Sequence, residues 1–177
     1  MELTDDLINK VRKGDRNAQR TLYDTYSAKM YGVCLRYAPD RERARDILQD
    51  SFIKVFSSIG SFRGEGSLEG WIRKIVVNSA LEYLRKQKDY FSIDTVQVQN
   101  LQIDSANTDY DMQIILKVIA GLPPQYRAVF NLYAIEDYSH AEIAEMLNIT
   151  ESTSKSNYSR ARAILRGKLE KMAEFRL

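Results

Sequence analysis

The chain contains few of the residues that build disulfides, metal sites and tight turns. Its 177 residues include one cysteine, Cys34, and one histidine, His140. This excludes an internal disulfide and a zinc site built from cysteines or several histidines. Three prolines and eight glycines are too few for an all-β fold that depends on many tight turns. No apolar run reaches the roughly 18 residues that a membrane-spanning helix needs.

The N-terminal end lacks the features of a targeting sequence. Residues 1–6 carry only acidic side chains among their charges, whereas a secretory signal peptide starts with basic residues and continues into an apolar core. Hydrophobic residues make up 44% of the chain and charged residues 28%, as is usual for a globular protein. We therefore expect a cytoplasmic protein with no membrane insertion, in which Cys34 is a small buried side chain.

Charge is distributed unevenly, although the net charge is only +2. Residues 1–88 have 17 Lys and Arg against 12 Asp and Glu, and residues 89–111 have five Asp and no basic residue. Residues 112–177 have nine basic residues against seven acidic ones, and seven of those nine follow residue 150. We expect two modules that meet polyanions, joined by a segment that avoids polyanions or imitates one.

Apolar residues recur at helical spacing through two long stretches. From Thr4 to about Lys88 they fall at every third or fourth position, as one face of a helix requires. Residues 89–111 lose this spacing and are rich in Asp, Asn, Gln, Ser and Thr. The sequence thus predicts an all-α protein of two small helical domains, residues 1–88 and 112–177, tethered by a flexible acidic linker, residues 89–111.

The second domain carries the pattern of a helix-turn-helix. Ser139 and Glu142 form an S-x-x-E capping box, residues 148–150 make a turn, and Thr150 can cap the next helix. That helix is predicted to present a polar and basic free side, which suits the DNA major groove. The residues expected there are Lys155, Ser156, Asn157, Ser159 and Arg160. The alternative is a helical hairpin whose polar face only meets water.

Two features of the first domain indicate binding surfaces. One helix has a polar edge that suits docking to a basic protein surface, although such an edge is by itself more often a solvated face. Its residues are Asp46, Gln49, Asp50 and Lys54. Phe62 lies on a glycine-flanked loop, where an aromatic ring can pack against an unstacked base. Alternatively, Phe62 anchors the loop in the core.

Motifs in both domains match one family. Residues 139–147 (S-H-A-E-I-A-E-M-L) are followed by T-S-K-S at residues 153–156 and R-A-R at residues 160–162. Residues 46–56 (D-I-L-Q-D-S-F-I-K-V-F) and 61–65 (S-F-R-G-E) form a second, separate match. In this order the motifs resemble the promoter-reading, clamp-binding and −10-binding segments of extracytoplasmic-function (ECF) sigma factors, in the sigma-70 family. Two matches in the right order are far more specific than one.

The resemblance implies a bacterial transcription initiation factor that binds core RNA polymerase, directs it to specific promoters and promotes strand opening at the −10 element. It implies core polymerase, promoter DNA and an anti-sigma factor as partners, and no cofactor, metal or catalytic residue. The implied core-binding residues are Asp46, Gln49, Asp50 and Lys54. The implied −10 DNA-binding residues are Phe62, Arg63, Trp71, Arg73, Lys74 and Asn78. The implied −35 DNA-binding residues are Lys155, Ser156, Asn157, Ser159, Arg160 and Arg162. Of the basic residues, Arg162, Arg166 and Lys168 are expected to touch phosphate and not base.

Two residues depart from the family pattern. Ser154 stands where the pattern has an apolar Val, so a buried hydroxyl there needs a partner, such as a backbone carbonyl one turn back. Asp50 replaces Glu, which keeps the charge but shortens its reach. Trp71 is expected to be mostly a core residue with one edge facing DNA, and His140, just inside a helix, is expected to be exposed.

Two other classes of function compete with this interpretation. An autonomous helix-turn-helix regulator accounts for residues 139–168 equally well, but it leaves the Phe62 loop, Asn78 and the polar edge at Asp46 without a purpose. An enzyme is disfavoured because the sequence has no Gly-rich phosphate loop, no paired histidines and no Ser or Cys with a candidate base.

Overall fold

The computed structural model describes residues 5–86, 115 and 117–174. These residues form helices and their connecting turns, without a β-strand among them, which confirms the all-α prediction. The chain folds into two compact units, Met1–Ala80 and Leu81–Leu177. The predicted linker, residues 89–111, lies outside the described residues, and the domain boundaries at 88 and 112 stay predictions.

The N-terminal helices follow one another with short connections. They are α1 (Asp5–Arg12), α2 (Arg16–Tyr37), α3 (Arg41–Ser58), a 3₁₀ turn (Ile59–Ser61) and α4 (Leu68–Lys86). Asp15, Asp40 and Ser67 precede α2, α3 and α4. Each accepts a hydrogen bond from the backbone N–H three residues on, at 2.9, 2.8 and 3.0 Å. Side-chain caps therefore set where these helices begin.

The core of the first unit lies where α2 packs against α3. The side chains of Leu22 and Met30 on α2 and Phe52 and Val55 on α3 are buried there. Cys34 is also buried, and this burial raises the pKa of its thiol to about 12. Because the thiolate is the reactive form, Cys34 is chemically inert at neutral pH, as the sequence predicted for a small core residue.

The second unit carries the helix-turn-helix. Residues 117–120 are helical and are followed by three further helices, α5 (Pro124–Ala134), α6 (His140–Leu147) and α7 (Glu151–Glu174). Leu122, Ala161 and Leu165 are among the buried residues of its core, against which Tyr126 and Phe130 pack partly buried. In the described parts of the chain, no helix is long and apolar enough to cross a membrane.

Candidate nucleic-acid and protein interfaces

Local sequence fixes both ends of the turn in the helix-turn-helix. Ser139 Oγ accepts from the Glu142 N–H while the Glu142 carboxylate accepts from the Ser139 N–H at 2.8 Å, so the predicted capping box is present. Asn148 ends α6 in the left-handed conformation at φ 53°, which Asn tolerates better than most residues. Thr150 Oγ1 then accepts from the Thr153 N–H at 3.0 Å and caps α7.

The outer face of α7 is polar and basic. Ser156 and Ser159 are exposed near its middle, with Lys155 beside them. Arg160 and Arg162 are exposed at its two flanks. Hydroxyl and guanidinium groups at this spacing can reach base edges and phosphates in one groove. The structure therefore brings five of the six predicted −35 residues to one surface.

Asn157 is not on this surface, so its predicted place on the free side is wrong. Its side chain is only 3% exposed. It falls roughly 200° around the helix from Lys155, on the side that faces the core. Its Nδ2 is also a buried donor for which the described residues supply no hydrogen-bond partner. Asn157 therefore cannot read DNA from this position.

Ser154 is 0% exposed, and its hydroxyl partner is a side chain rather than the predicted carbonyl. A hydrogen bond of 2.9 Å joins Ser154 Oγ to His140 Nδ1 on α6. The His140 ring is half-buried instead of exposed, because it stacks on Tyr133 at 4.2 Å and 11° and meets the edge of Tyr158 at 5.9 Å. One imidazole thus joins α5, α6 and α7.

We expect the loss of His140 and the loss of Ser154, the two partners of this hydrogen bond, to destabilise the second unit unequally. His140→Ala should lower the free energy of unfolding of the second unit by about 2 kcal/mol, since it leaves a buried hydroxyl without a partner. Ser154→Ala should cost only about 1 kcal/mol, because the half-buried imidazole can still reach water. Native-state hydrogen exchange of the α7 amides measures both values. The exposed Ser152→Ala is the matched control, and equal costs for the two substitutions would contradict the assignment.

The two arginines at the flanks of the outer face of α7 each contact a tyrosine. Arg160 Nη1 donates to the Tyr126 hydroxyl at 3.4 Å, and the Arg162 guanidinium lies over the Tyr158 ring at 5.8 Å. Such contacts reduce the conformational entropy that an arginine loses when it binds DNA. Both arginines stay exposed, so the tyrosines orient them and leave them accessible to DNA.

Two lysines of α7, Lys155 and Lys168, also have partners within the protein. Lys155 Nζ lies 2.6 Å from Glu151 Oε1, and this hydrogen bond is the main reason that the pKa of Glu151 is lowered. Lys168 Nζ donates to the Gly121 carbonyl at 2.9 Å, just beyond the helical residues 117–120. Lys168 therefore links α7 to the turn at Gly121 within its own unit. Its predicted role at a phosphate is not supported.

Phe62 is a buried anchor of its loop and not an exposed ring. It is 6% exposed and packs against Trp71 with the ring centroids 5.6 Å apart. Residues 63–66, which include Arg63, are exposed, and Gly64 and Gly66 adopt φ near +80°, which other residues rarely do. Of the two interpretations of Phe62, its burial favours the core anchor.

Helix α4 presents three of the predicted −10 residues on one side. Trp71 is half-buried, and Lys74 and Asn78 are exposed; positions i, i+3 and i+7 share a helix face. Arg73 is half-buried and lies roughly 200° around the helix from Trp71. The structure therefore groups Trp71, Lys74 and Asn78 and leaves Arg73 apart.

The polar edge of α3 contains an apolar residue that the sequence analysis missed. Asp46, Gln49 and Asp50 are exposed and Lys54 is half-buried. Ile53 is 62% exposed and shares their face, since it lies seven residues after Asp46. The sequence could have indicated this exposure, because Ile53 falls outside the apolar stripe of α3. A single exposed isoleucine is ordinary on a protein surface, but at this position it adds apolar area to the polar edge of α3.

Sequence comparison assigns both units to one family. Residues 22–90 match the model of sigma-70 region 2, and residues 112–165 match that of sigma-70 region 4. The ECF RNA polymerase sigma-E factor of Haemophilus influenzae is 30% identical over 187 aligned residues, which cover 96% of this chain and 97% of that protein. The chain belongs to the ECF sigma factors of the sigma-70 family. The sigma-E factor of Escherichia coli K12 is 28% identical and covers 96% of both chains.

Two solved structures share the fold. RpoE of Bartonella quintana, in complex with the anti-sigma factor NepR, matches with a TM-score of 0.59 and 22% identity, over 85% of this chain and 96% of that one. CnrH, in complex with the cytosolic domain of CnrY, matches with a TM-score of 0.51 and 18% identity, over 93% and 96%. As an ECF sigma factor, this protein directs RNA polymerase to promoters and initiates transcription there.

Proposed function

We propose that this sigma factor opens promoters by binding three partners with three separate surfaces. The α3 edge attaches to core polymerase, the α4 face with its preceding loop captures the unpaired −10 strand, and α7 reads the −35 duplex. The observation that carries the proposal is the exposed polar face of α7, built on a capped helix-turn-helix. Strand capture itself stabilises the open state against re-pairing, so no catalytic group or cofactor is needed.

Attachment to polymerase is assigned to the exposed edge of α3. Asp46 and Asp50 supply negative charge for a basic surface, and Gln49 can donate and accept hydrogen bonds. Ile53 lies between them and supplies apolar area. An apolar centre with a charged rim is the usual arrangement of a specific protein interface. Lys54, half-buried at the margin, belongs to the rim.

Strand capture is assigned to the α4 face. Trp71 offers a partly exposed ring for base stacking, worth about 1–3 kcal/mol per base. Asn78 can hydrogen-bond a base edge, and Lys74 and Arg63 can neutralise phosphates. The buried Phe62 ring packs against Trp71 on its core side. Phe62 itself does not contact a base. Arg73 flanks the site at most.

Duplex reading is assigned to five residues of α7. Ser156, Ser159 and Arg160 have the chemistry for base edges. Lys155 and Arg162 are placed to contact phosphates. Lys155 must first leave its ion pair with Glu151. The short hydroxyl side chains let the helix approach the groove floor closely.

An anti-sigma factor is also proposed as a partner. RpoE of Bartonella quintana was solved with NepR and CnrH with part of CnrY, and the likeness of fold supports a similar complex for this chain. Affinity capture of the protein from its source organism should recover one inhibitor that competes with core polymerase. A captured protein that leaves polymerase binding unchanged would not fill this role.

Initiation in vitro tests the proposed function. Core polymerase freed of its own sigma factors, incubated with this chain and genomic promoter fragments, should produce discrete start sites. Thymines near position −10 should become reactive to permanganate only when both proteins are present. DNA binding without permanganate reactivity or transcripts would identify an autonomous regulator instead.

A further inference from the structure

Helix α1 precedes residue 22, where the match to sigma-70 region 2 begins. Its buried residues, Ile8 and Val11, hold it in the first unit, where it packs against the 3₁₀ turn Ile59–Ser61. Its last residue, Arg12, reaches further along the chain. Arg12 Nη2 donates to the carbonyl of Phe62 at 2.5 Å.

This contact holds Phe62, the residue from which the exposed loop 63–66 begins. The Phe62 N–H donates to the Ile59 carbonyl at 3.2 Å, its ring packs on Trp71, and its carbonyl accepts from Arg12. The next residues, 63–66, are exposed. Phe62 is thus the last buried point before the exposed loop, and Arg12 contacts the carbonyl that leads into it.

The chemistry of the contact favours a fixed geometry. A guanidinium donating to a carbonyl makes a charge-assisted hydrogen bond, which is stronger than a neutral one. Arg12 Nη1 also donates to Asn9 Oδ1 at 3.3 Å, so a second side chain of α1 orients the guanidinium. A loop held in its binding conformation loses less entropy when a ligand binds.

We propose that Arg12 is a positioning residue for capture of the −10 strand. It holds the Phe62 carbonyl, keeps the Phe62 ring under Trp71 and so sets the direction in which Arg63 leaves the core. Helix α1 thereby belongs to the strand-binding site without touching DNA. This inference rests on the proposed strand capture by the α4 face.

The positioning is measurable in the free protein, without DNA. Trp71 is the single tryptophan of the chain, so its fluorescence reports the packing of Phe62 directly. Arg12→Ala should shift the Trp71 emission to longer wavelength and increase its quenching by acrylamide. Lys13→Ala is the matched control, because Lys13 is exposed, adjacent and equally charged; its spectrum should equal that of the unaltered protein.

The effect on function is measured with the full chain bound to core polymerase. Arg12→Ala should weaken binding of a single-stranded −10 oligonucleotide about tenfold, with Arg12→Lys recovering most of the loss and Lys13→Ala causing none. The slope of log affinity against log salt should not change, since a lost phosphate contact would reduce it by about 0.7. Binding of −35 duplex DNA should be unaffected, which controls for the second unit, and an unchanged thermal unfolding curve controls for folding of the first unit.

Each contrary result has a definite meaning. Unchanged Trp71 emission and strand affinity in Arg12→Ala, or equal losses in Arg12→Ala and Lys13→Ala, would overturn the positioning role. A reduced salt slope would also overturn it, by placing Arg12 on a phosphate. If the unaltered holoenzyme failed to bind the −10 oligonucleotide, the proposed strand capture would fall, while the fluorescence would still decide whether Arg12 positions the loop.

Discussion

Replacing Ile53 by lysine is expected to weaken binding of core polymerase by roughly thirtyfold, the effect of losing a central interface residue. The substitution removes apolar area from the middle of the α3 edge. It also adds a positive charge among Asp46 and Asp50, where the proposed partner surface is basic. Titration of fluorescently labelled core polymerase with each variant measures the affinity. Thermal unfolding should be unchanged, because Ile53 is 62% exposed and contributes little to the core.

Asn17→Lys provides the control for this prediction. Asn17 is exposed on α2, so the substitution changes the net charge by the same amount on another helix. Its affinity for core polymerase should equal that of the unaltered protein. Equal losses in the two variants would show that net charge matters and not the α3 face. Full affinity in Ile53→Lys would remove α3 from the interface altogether.

Replacing Arg160 by alanine should weaken binding to a matched promoter far more than binding to random DNA. A bidentate arginine contact to a guanine contributes about 1–3 kcal/mol of discrimination, which is roughly 5-fold to 150-fold in affinity. Arg160 has the exposure for such a contact, and the Tyr126 hydroxyl orients it. Competition between matched and random duplexes, at one salt concentration, measures the ratio. Equal losses on both duplexes would mean that Arg160 contacts only the backbone.

Arg166→Ala is the comparison that separates the two kinds of contact. Arg166 is exposed on the same helix, about three turns after Lys155, and we expect it to touch phosphate. Its loss should weaken both duplexes alike and reduce the salt slope by about 0.9. A change in specificity with Arg166→Ala, and none with Arg160→Ala, would exchange the roles of these two arginines.

The sequence predicted the helices and their caps well because those signals are local. A cap depends on a side chain and an N–H three residues away, so Ser139 and Thr150 could be recognised without knowledge of the fold. The helix-turn-helix followed from the same signals. Family motifs then added the identity of the surfaces, which composition and spacing could not supply.

The errors concern which side chains face the core. Asn157 has the chemistry of a DNA-reading residue, and its polarity placed it outside; the packing of α7 places it inside. For Phe62 the family resemblance implied contact with a base, and a core anchor was the alternative; its ring is buried against Trp71, which favours the anchor. In both cases, packing against other elements of the fold decides the burial.

Partners across the chain were equally out of reach of the sequence. Nothing in the sequence near Ser154 indicated His140, fourteen positions earlier, and nothing near Phe62 indicated Arg12, fifty positions earlier. By itself the sequence determined the all-α class, the helix ends and the family, because these follow from periodicity, capping and motifs within short windows. Only the tertiary structure decided which polar side chains are exposed and which are held, because burial and long-range hydrogen bonds depend on helices that packing alone brings together.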